Sequence, residues 1–268
     1  MRKLFLIFLL LPLACTLHAQ QVPYKVLDSL LFNYTRAIQT QDIQAKEAEC
    51  DYLIASVKDS LMQVHIATTL FKHYKDAPVM GDEEVAVYIF DKWFGSGLLR
   101  MEGEFTQLDA EMFVGINRSS LIGMQAPLLQ LRKPCRGKAT VPQKGTPVIL
   151  WFYDTACSKC RIESKVLPGV LEKDVDFPLR FCAIYTGQDS KEWKQFRKSF
   201  KVRNRNVTLS HCWDPEVDSD YIRLYGVAST PKMFITTSEG VIAGRRLEVE
   251  SLKEILPIIK NLSNSSDK

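Results

Sequence analysis

Cysteine is scarce in this chain, with seven among 268 residues. A domain stapled by disulfides would carry more per residue, so the core must be hydrophobic. The composition, 46% hydrophobic and 25% charged, is that of an ordinary globular protein rather than a disordered one. A large excess of one charge is also missing: a formal +4 does not by itself argue for nucleic acid. There is no internal repeat, no phosphate loop, no dinucleotide fingerprint and no Ser–His–Asp set. The apolar run at the N-terminus, from Leu4 to Leu13, has about half the length needed to cross a bilayer as a helix.

That run follows Arg2 and Lys3 and precedes the small residue Ala19, the order of a secretory signal peptide. It shows no amphipathic period, which argues against a buried N-terminal helix. Cleavage after Ala19 is expected, leaving a net charge of about +2 and residues 1–19 as the signal peptide. The rival is lipidation at Cys15, which would tether the protein to a membrane. "PLAC" matches a lipoprotein box only in part, because Pro12 stands three before the cysteine. Either route delivers Cys50, Cys135, Cys157, Cys160, Cys182 and Cys212 to a compartment where disulfides persist. The expected location is the periplasm, with a lipid-anchored exported form as the alternative.

Residues 20–118 read as a helical domain. Leu27, Leu30, Leu31, Tyr34 and Ile38 recur at helical spacing, and Leu53, Val57, Leu61, Val64, Thr68 and Phe71 suggest one long helix over 51–74. Pro78 and Gly81 break the pattern before "DEEVAVYIFDKWF", and "DAEMFVGINRSS" is a shorter fourth helix. No catalytic spacing appears in this half. The texture changes from about residue 124, and the domain boundary is set at 119. "APLLQLRK" and "GKATVP" read as a hairpin, and "PVILWFYD" as a central strand covered on both faces. "FPLRFCAIYTG" and "NVTLSHCW" are further strands, with "SKEWKQFRKSFKV" an amphipathic helix between them. "DSDYIRLYG" is a short helix stopped by Gly226, "PKMFITTSEGVIAGRRL" a hairpin turning near residues 238–240, and "EVESLKEILPIIKNL" a final helix before a polar tail at 263–268. The expectation is an α/β sandwich over 119–262: a mixed central sheet flanked by helices, with an extra hairpin at its start, preceded by an all-α domain.

One pair of cysteines breaks the wide spacing: "ACSKC", residues 156–160. Cys157 follows a strand and Cys160 falls in the first turn of a helix. The first N–H groups of a helix have no internal partner and carry partial positive charge. A thiolate is stabilised there, so Cys157 is expected to attack and Cys160 to resolve the mixed disulfide. A metal site would need two more ligands. There is no second CxxC, and His211 and Cys212 are neighbours on a strand, pointing to opposite faces. A permanent structural disulfide over so short a loop would constrain the unfolded chain little. Cys182 and Cys212 read as buried small hydrophobes, pairing being the alternative for Cys212. Cys50 reads as helix packing, and Cys135 as an exposed thiol able to join redox chemistry. The basic stretch from Lys191 to Arg205 is either a solvated helix face or a surface that steers an acidic partner.

"GMQAPLLQL", "PVILWFYDTACSKC", "YGVASTPKMFITTSEG" and the final helix together resemble the thioredoxin superfamily, most closely its exported TlpA/ResA-like thiol–disulfide oxidoreductases. The resemblance implies protein thiols and disulfides as substrates, an upstream redox partner, and no cofactor or metal. It implies a reductase rather than an oxidase. Cys157 and Cys160 match the redox pair. Pro231 matches the proline that is cis in this fold, and Thr230 before it exposes its backbone to an incoming peptide; Ala156 lies beside the nucleophile on the same peptide-binding side. Glu163 matches a buried glutamate of the cytochrome-maturation members and could take the Cys160 proton; a solvated helix charge is the other reading. Ala156 stands where a tryptophan is usual. Trp151 replaces the strand acid six before the first cysteine. Pro168 sits later than the usual helix proline, and should bend or end the helix near Leu167. The rival reading from another class is a non-catalytic binding protein that uses this fold to hold a metal, haem or protein partner.

Overall fold

A computed structural model describes residues 24–266. The expected signal peptide, cleavage after Ala19 and lipidation at Cys15 lie outside these residues. Among them, no helix is long and apolar enough to cross a membrane.

The first part is helical: α1 (Tyr24–Ala37), α2 (Ile43–Ala55), α3 (Ser60–Lys75), α4 (Glu83–Ile89) continued by a π-helical turn (Phe90–Gly95), and α5 (Glu104–Asn117). The single helix expected over 51–74 is two. Asp59 caps α3, its carboxylate accepting from the Met62 N–H at 2.8 Å, and Asp42 caps α2 through the Ala45 N–H at 2.7 Å. The apolar period ran across the break because Val57 packs on the core while Leu61 is exposed. Capping by a short carboxylate won over the periodicity. Ile54, Ala67, Leu70, Val85, Ala86 and Ile89 are fully buried between these helices. Cys50 packs among them.

The second part holds one seven-stranded sheet in the order β2-β1-β5-β4-β3-β6-β7. Its strands are β1 (Leu129–Arg132), β2 (Lys138–Val141), β3 (Val148–Tyr153), β4 (Leu179–Tyr185), β5 (Val207–Trp213), β6 (Lys232–Thr236) and β7 (Ile242–Gly244). The helices between and after them are α6 (Ser158–Lys173), α7 (Ser190–Ser199), α8 (Tyr221–Tyr225) and α9 (Leu252–Ser266). β3 pairs parallel with β4 and antiparallel with β6, so the sheet is mixed, and the hairpin β1–β2 extends it as expected. All six residues of β3 are buried. Ile149, Trp151 and Tyr153 face a core closed by α6, α7 and α9, while Val148, Leu150 and Phe152 face one closed by α8 and the hairpin. A strand sealed on both faces has no use for alternating polarity.

Of the two outcomes expected at Pro168, an end to the helix is excluded: α6 runs through Pro168 to Lys173, because Leu167, Val170 and Leu171 bury their side chains under the sheet and hold the turn that lacks one N–H. α9 likewise passes Pro257 and continues into the polar tail as far as Ser266. Gly226 does end α8, with φ +64°. A Cβ there would also approach the Ile116 carbonyl to 3.0 Å, where α8 meets α5.

The helical part is fastened to the sheet by buried charge. Arg245, just after β7, meets Glu83 at the start of α4 with Nε and Oε1 2.8 Å apart, each side chain 1% exposed. Arg245 also donates to Asn117 Oδ1 at 2.5 Å. Backbone bonds from Gly123 to the Ile242 carbonyl and from Ile242 to the Met124 carbonyl, both 2.8 Å, complete the join. Replacing Glu83 by Ala would strand a buried guanidinium. We expect Glu83→Ala to lower stability by about 3–5 kcal/mol, read as a fall in the urea midpoint.

Candidate active site

β3 delivers the chain to the site and α6 receives it. Cys157 is the N-cap of α6, with extended backbone (φ −75°, ψ 121°), and its sulfur accepts the Cys160 N–H at 3.2 Å. The Asp154 carbonyl accepts the Cys157 N–H at 3.3 Å, and the Asp154 carboxylate accepts the Ala156 N–H at 2.8 Å. These bonds wind the four residues between strand and helix into one tight turn. Ala156 is exposed, Cys157 half-buried, and Cys160 buried beneath them at 2% exposure.

The second wall comes from the start of β6. The Thr230–Pro231 peptide bond is cis. The Thr230 carbonyl lies 3.3 Å from the Cys157 sulfur. Thus Cys157, Cys160, Thr230 and Pro231, 73 residues apart at the Cys157–Thr230 contact, stand together, with Ala156 at the rim.

The two sulfurs are inequivalent. Partial burial pushes the Cys157 thiol up. Hydrogen bonds with the Cys160 thiol and N–H, the Thr230 side chain and the Lys159 N–H outweigh it, and the thiol lies below its ordinary range. Burial first, then the neighbouring Cys157 sulfur, pushes the Cys160 thiol up to about 12. The positive charges flanking the pair are partly engaged elsewhere: Lys159 Nζ lies 2.6 Å from Glu248, and Arg161 donates to Ser158 Oγ at 3.1 Å. The polarisation of Cys157 therefore comes mainly from the turn itself.

Glu163 is buried, at 6% exposure, and its carboxylate accepts the Trp151 Nε1–H at 2.9 Å. The solvated reading of this residue is thereby removed. Burial raises the Glu163 carboxyl, and the Trp151 bond and nearby Lys159 partly offset this. Trp151, noted in the sequence only as the residue standing in place of a strand acid, is the partner the reading missed. The signal was available: an indole buried mid-strand needs an acceptor, and Glu163 is the acid one turn past the cysteine pair. Also unforeseen was a cavity of about 300 Å³ between α6 and α7 that reaches Cys160, lined by Thr155, Arg161 and Glu192 among others.

The remaining cysteines among the described residues are free thiols away from this cluster. Cys182 and Cys212 are buried on β4 and β5 with sulfurs 3.5 Å apart. His211 packs on the opposite face, against Phe196 and Phe200. Cys135 is exposed in the β1–β2 turn.

No family model and no curated protein sequence matches the chain. Among solved structures, a thioredoxin-like protein from Bacteroides caccae superimposes over 87% of this chain and 84% of that one, with a TM-score of 0.67 at 13% identity. The fold is thioredoxin-like. Shorter matches cover about half of the chain. One is the thioredoxin domain of a thiol-disulfide oxidoreductase from Bacteroides vulgatus (20% identity, 51% of this chain, 96% of that chain, TM-score 0.43). Another is a thiol:disulfide interchange protein from a Bacteroides species (20% identity, 55% of this chain, 92% of that chain, TM-score 0.43).

Two measurements test this geometry. With iodoacetamide on the folded, reduced protein, Cys157 should be alkylated well before Cys160, Cys182 or Cys212, and its rate should rise with pH through a midpoint below that of a free thiol, as mapped by mass spectrometry. For Glu163 the folded carboxyl is raised above the unfolded one. The folded state then binds the extra proton, and its stability falls as pH rises between the two values. Glu163→Gln should accordingly be more stable than the parent at neutral pH, with the gap closing as the pH is lowered through the carboxylate range in thermal unfolding.

Proposed function

We propose that the protein is an exported thiol–disulfide oxidoreductase acting on protein disulfides, working as a reductase. The observation that carries this reading is the half-buried Cys157 sulfur at the N-cap of α6, 3.3 Å from the Thr230 carbonyl at a cis proline, with a buried second thiol three residues on. A metal-holding role finds less support, since the thiols of Cys157 and Cys160 are flanked by Thr230, Pro231 and Ala156 rather than by ligating side chains. Export rests on the sequence of residues 1–19.

The step balances as follows. The Cys157 thiolate attacks one sulfur of a partner disulfide; that S–S bond breaks and the leaving thiolate takes a proton. The extended partner chain is seated against the Thr230 backbone beside Pro231, with Ala156 leaving room on the other side where a larger side chain would stand. Cys160 then loses its proton and attacks the Cys157 sulfur, releasing the second partner thiol. The dithiol is oxidised by two electrons and the partner disulfide is reduced to two thiols. An upstream dithiol resets the pair. Cys160, pushed up to about 12, is a poor nucleophile until its proton is accepted. The departing partner thiolate can accept it, and Glu163, buried one turn along α6 with a raised carboxyl, is the protein's own base for the task.

Cys157→Ser should abolish reduction of a test protein disulfide, and retained turnover would remove the reading. Cys160→Ser should stop at the mixed disulfide, so partners remain covalently attached to Cys157 and can be identified after non-reducing electrophoresis.

A further inference from the structure

The basic stretch after residue 190 does not act as one surface. Arg197 on α7 and Lys201 beyond it line a groove of about 390 Å³, together with Arg180 at the start of β4 and Lys133 from the β1–β2 turn. Four cations from four segments meet there, and no Asp or Glu is among the lining residues. None of Cys157, Cys160, Thr230 or Pro231 lines it, so the inference does not rest on the dithiol chemistry.

The groove follows an interruption in the sheet. β1 pairs with β5 at one position, Arg132 with Trp213, and then diverges. Among the described residues no strand pairs with the outer edge of β5 before that point. An unpaired strand edge presents a row of N–H and C=O groups ready to take another chain. Thr208 and Ser210 lie along it, and Leu209, Val141 and Val148 supply apolar surface. Polar groups in the groove also lack partners. Both ring nitrogens of His211 and Nε of Arg197 are buried without a hydrogen bond. Burial, then Arg197 and Lys201, push the His211 imidazolium down to about 4. The ring is therefore neutral at physiological pH and offers one donor and one acceptor.

Cations stand on both faces of this edge. Arg180 shares its face with Cys182, on the side of the hairpin, while Arg197 and Lys201 come from the side of α7, where His211 packs. Consecutive residues of a strand point to alternate faces, so neighbouring acids on an added strand would each meet a cation.

We propose that this groove receives an extended acidic segment of a partner protein as an added strand beside β5, its main chain bonding to the open edge and its carboxylates meeting Arg180 and Lys133 on one face and Arg197 and Lys201 on the other. It is a docking site separate from the dithiol, able to hold a partner while Cys157 stays free to act.

The test uses the whole protein and a fluorescein-labelled peptide rich in Glu and Val, followed by fluorescence anisotropy at low ionic strength, with amide hydrogen exchange on the same mixture. Saturable binding is expected, with new protection confined to residues 207–212. Reversing both exposed lysines, in Lys133→Glu with Lys201→Glu, should weaken binding by about tenfold or more, and circular dichroism confirms that this variant is folded. Cys157→Ser should bind as the parent does. Absence of binding would overturn the proposal, leaving the cations as guards that keep a bare edge from aggregating. Binding that ignores the charge reversal, or protection elsewhere, would overturn it too. Displacement of the peptide by an equal concentration of inorganic phosphate would make this a small-anion site and equally contradict the added strand.

Discussion

The structure turns on the junction between β3 and α6. A strand buried along its whole length is pinned between β4 and β6, and cannot slide without moving six core side chains at once. Its end is therefore a fixed point. The chain leaves that point through the Asp154 turn and enters α6 with Cys157 as the cap, so the position of the sulfur is decided by packing far below it. The helix supplies the Cys160 N–H to that sulfur. The strand β6, also pinned against β3, brings the Thr230 carbonyl from the other side. Rigid neighbours on both sides hold the Cys157 sulfur in place.

The same strand carries the second feature of the site. Trp151 stands where an acid would be expected beneath the cysteine pair, and it hydrogen-bonds Glu163 from α6. A carboxylate from the helix is thus held against the strand, and its burial keeps the carboxyl raised. Trp151 also stacks on Tyr153 and packs against Phe181, Phe196 and Phe200. An aromatic slab under the dithiol lowers the local dielectric, which raises the cost of a charged Cys160 and sharpens the difference between the two thiols. The Glu83–Arg245 pair fixes the helical part beside β7, next to β6, which begins just after Pro231.

Much of this was legible in the sequence because it is local. The apolar run of β3, the cysteine spacing, the hairpin before it and the Ser-Thr-Pro turn before β6 each announce themselves within a few residues. Their order gives an α/β sandwich, and the resemblance of these segments to the thioredoxin superfamily implies the thioredoxin-like fold. What was not legible depends on distant partners or on close competition between local signals. The break at Asp59 was hidden by an apolar period that happened to continue across it. The passage of α6 through Pro168 depends on three side chains being buried, which the sequence around a proline does not reveal. Glu163 could be read either as buried or as solvated, and only the position of Trp151, twelve residues away, decides it. The Glu83–Arg245 pair and the basic groove join segments remote in the chain, and their charges look like ordinary surface until the sheet order is known.

The account stands on Cys157 and Cys160 exchanging electrons as a pair with a protein disulfide. The most direct measurement is to incubate the reduced protein with a disulfide-bonded protein substrate, quench with acid, and weigh the proteolytic fragment that contains both cysteines. The account predicts that this fragment loses two hydrogens, as an internal Cys157–Cys160 disulfide, in one-to-one step with the substrate disulfide reduced. A fragment that keeps both thiols while the substrate stays oxidised, or a substrate reduced through Cys135, Cys182 or Cys212 instead, would contradict it.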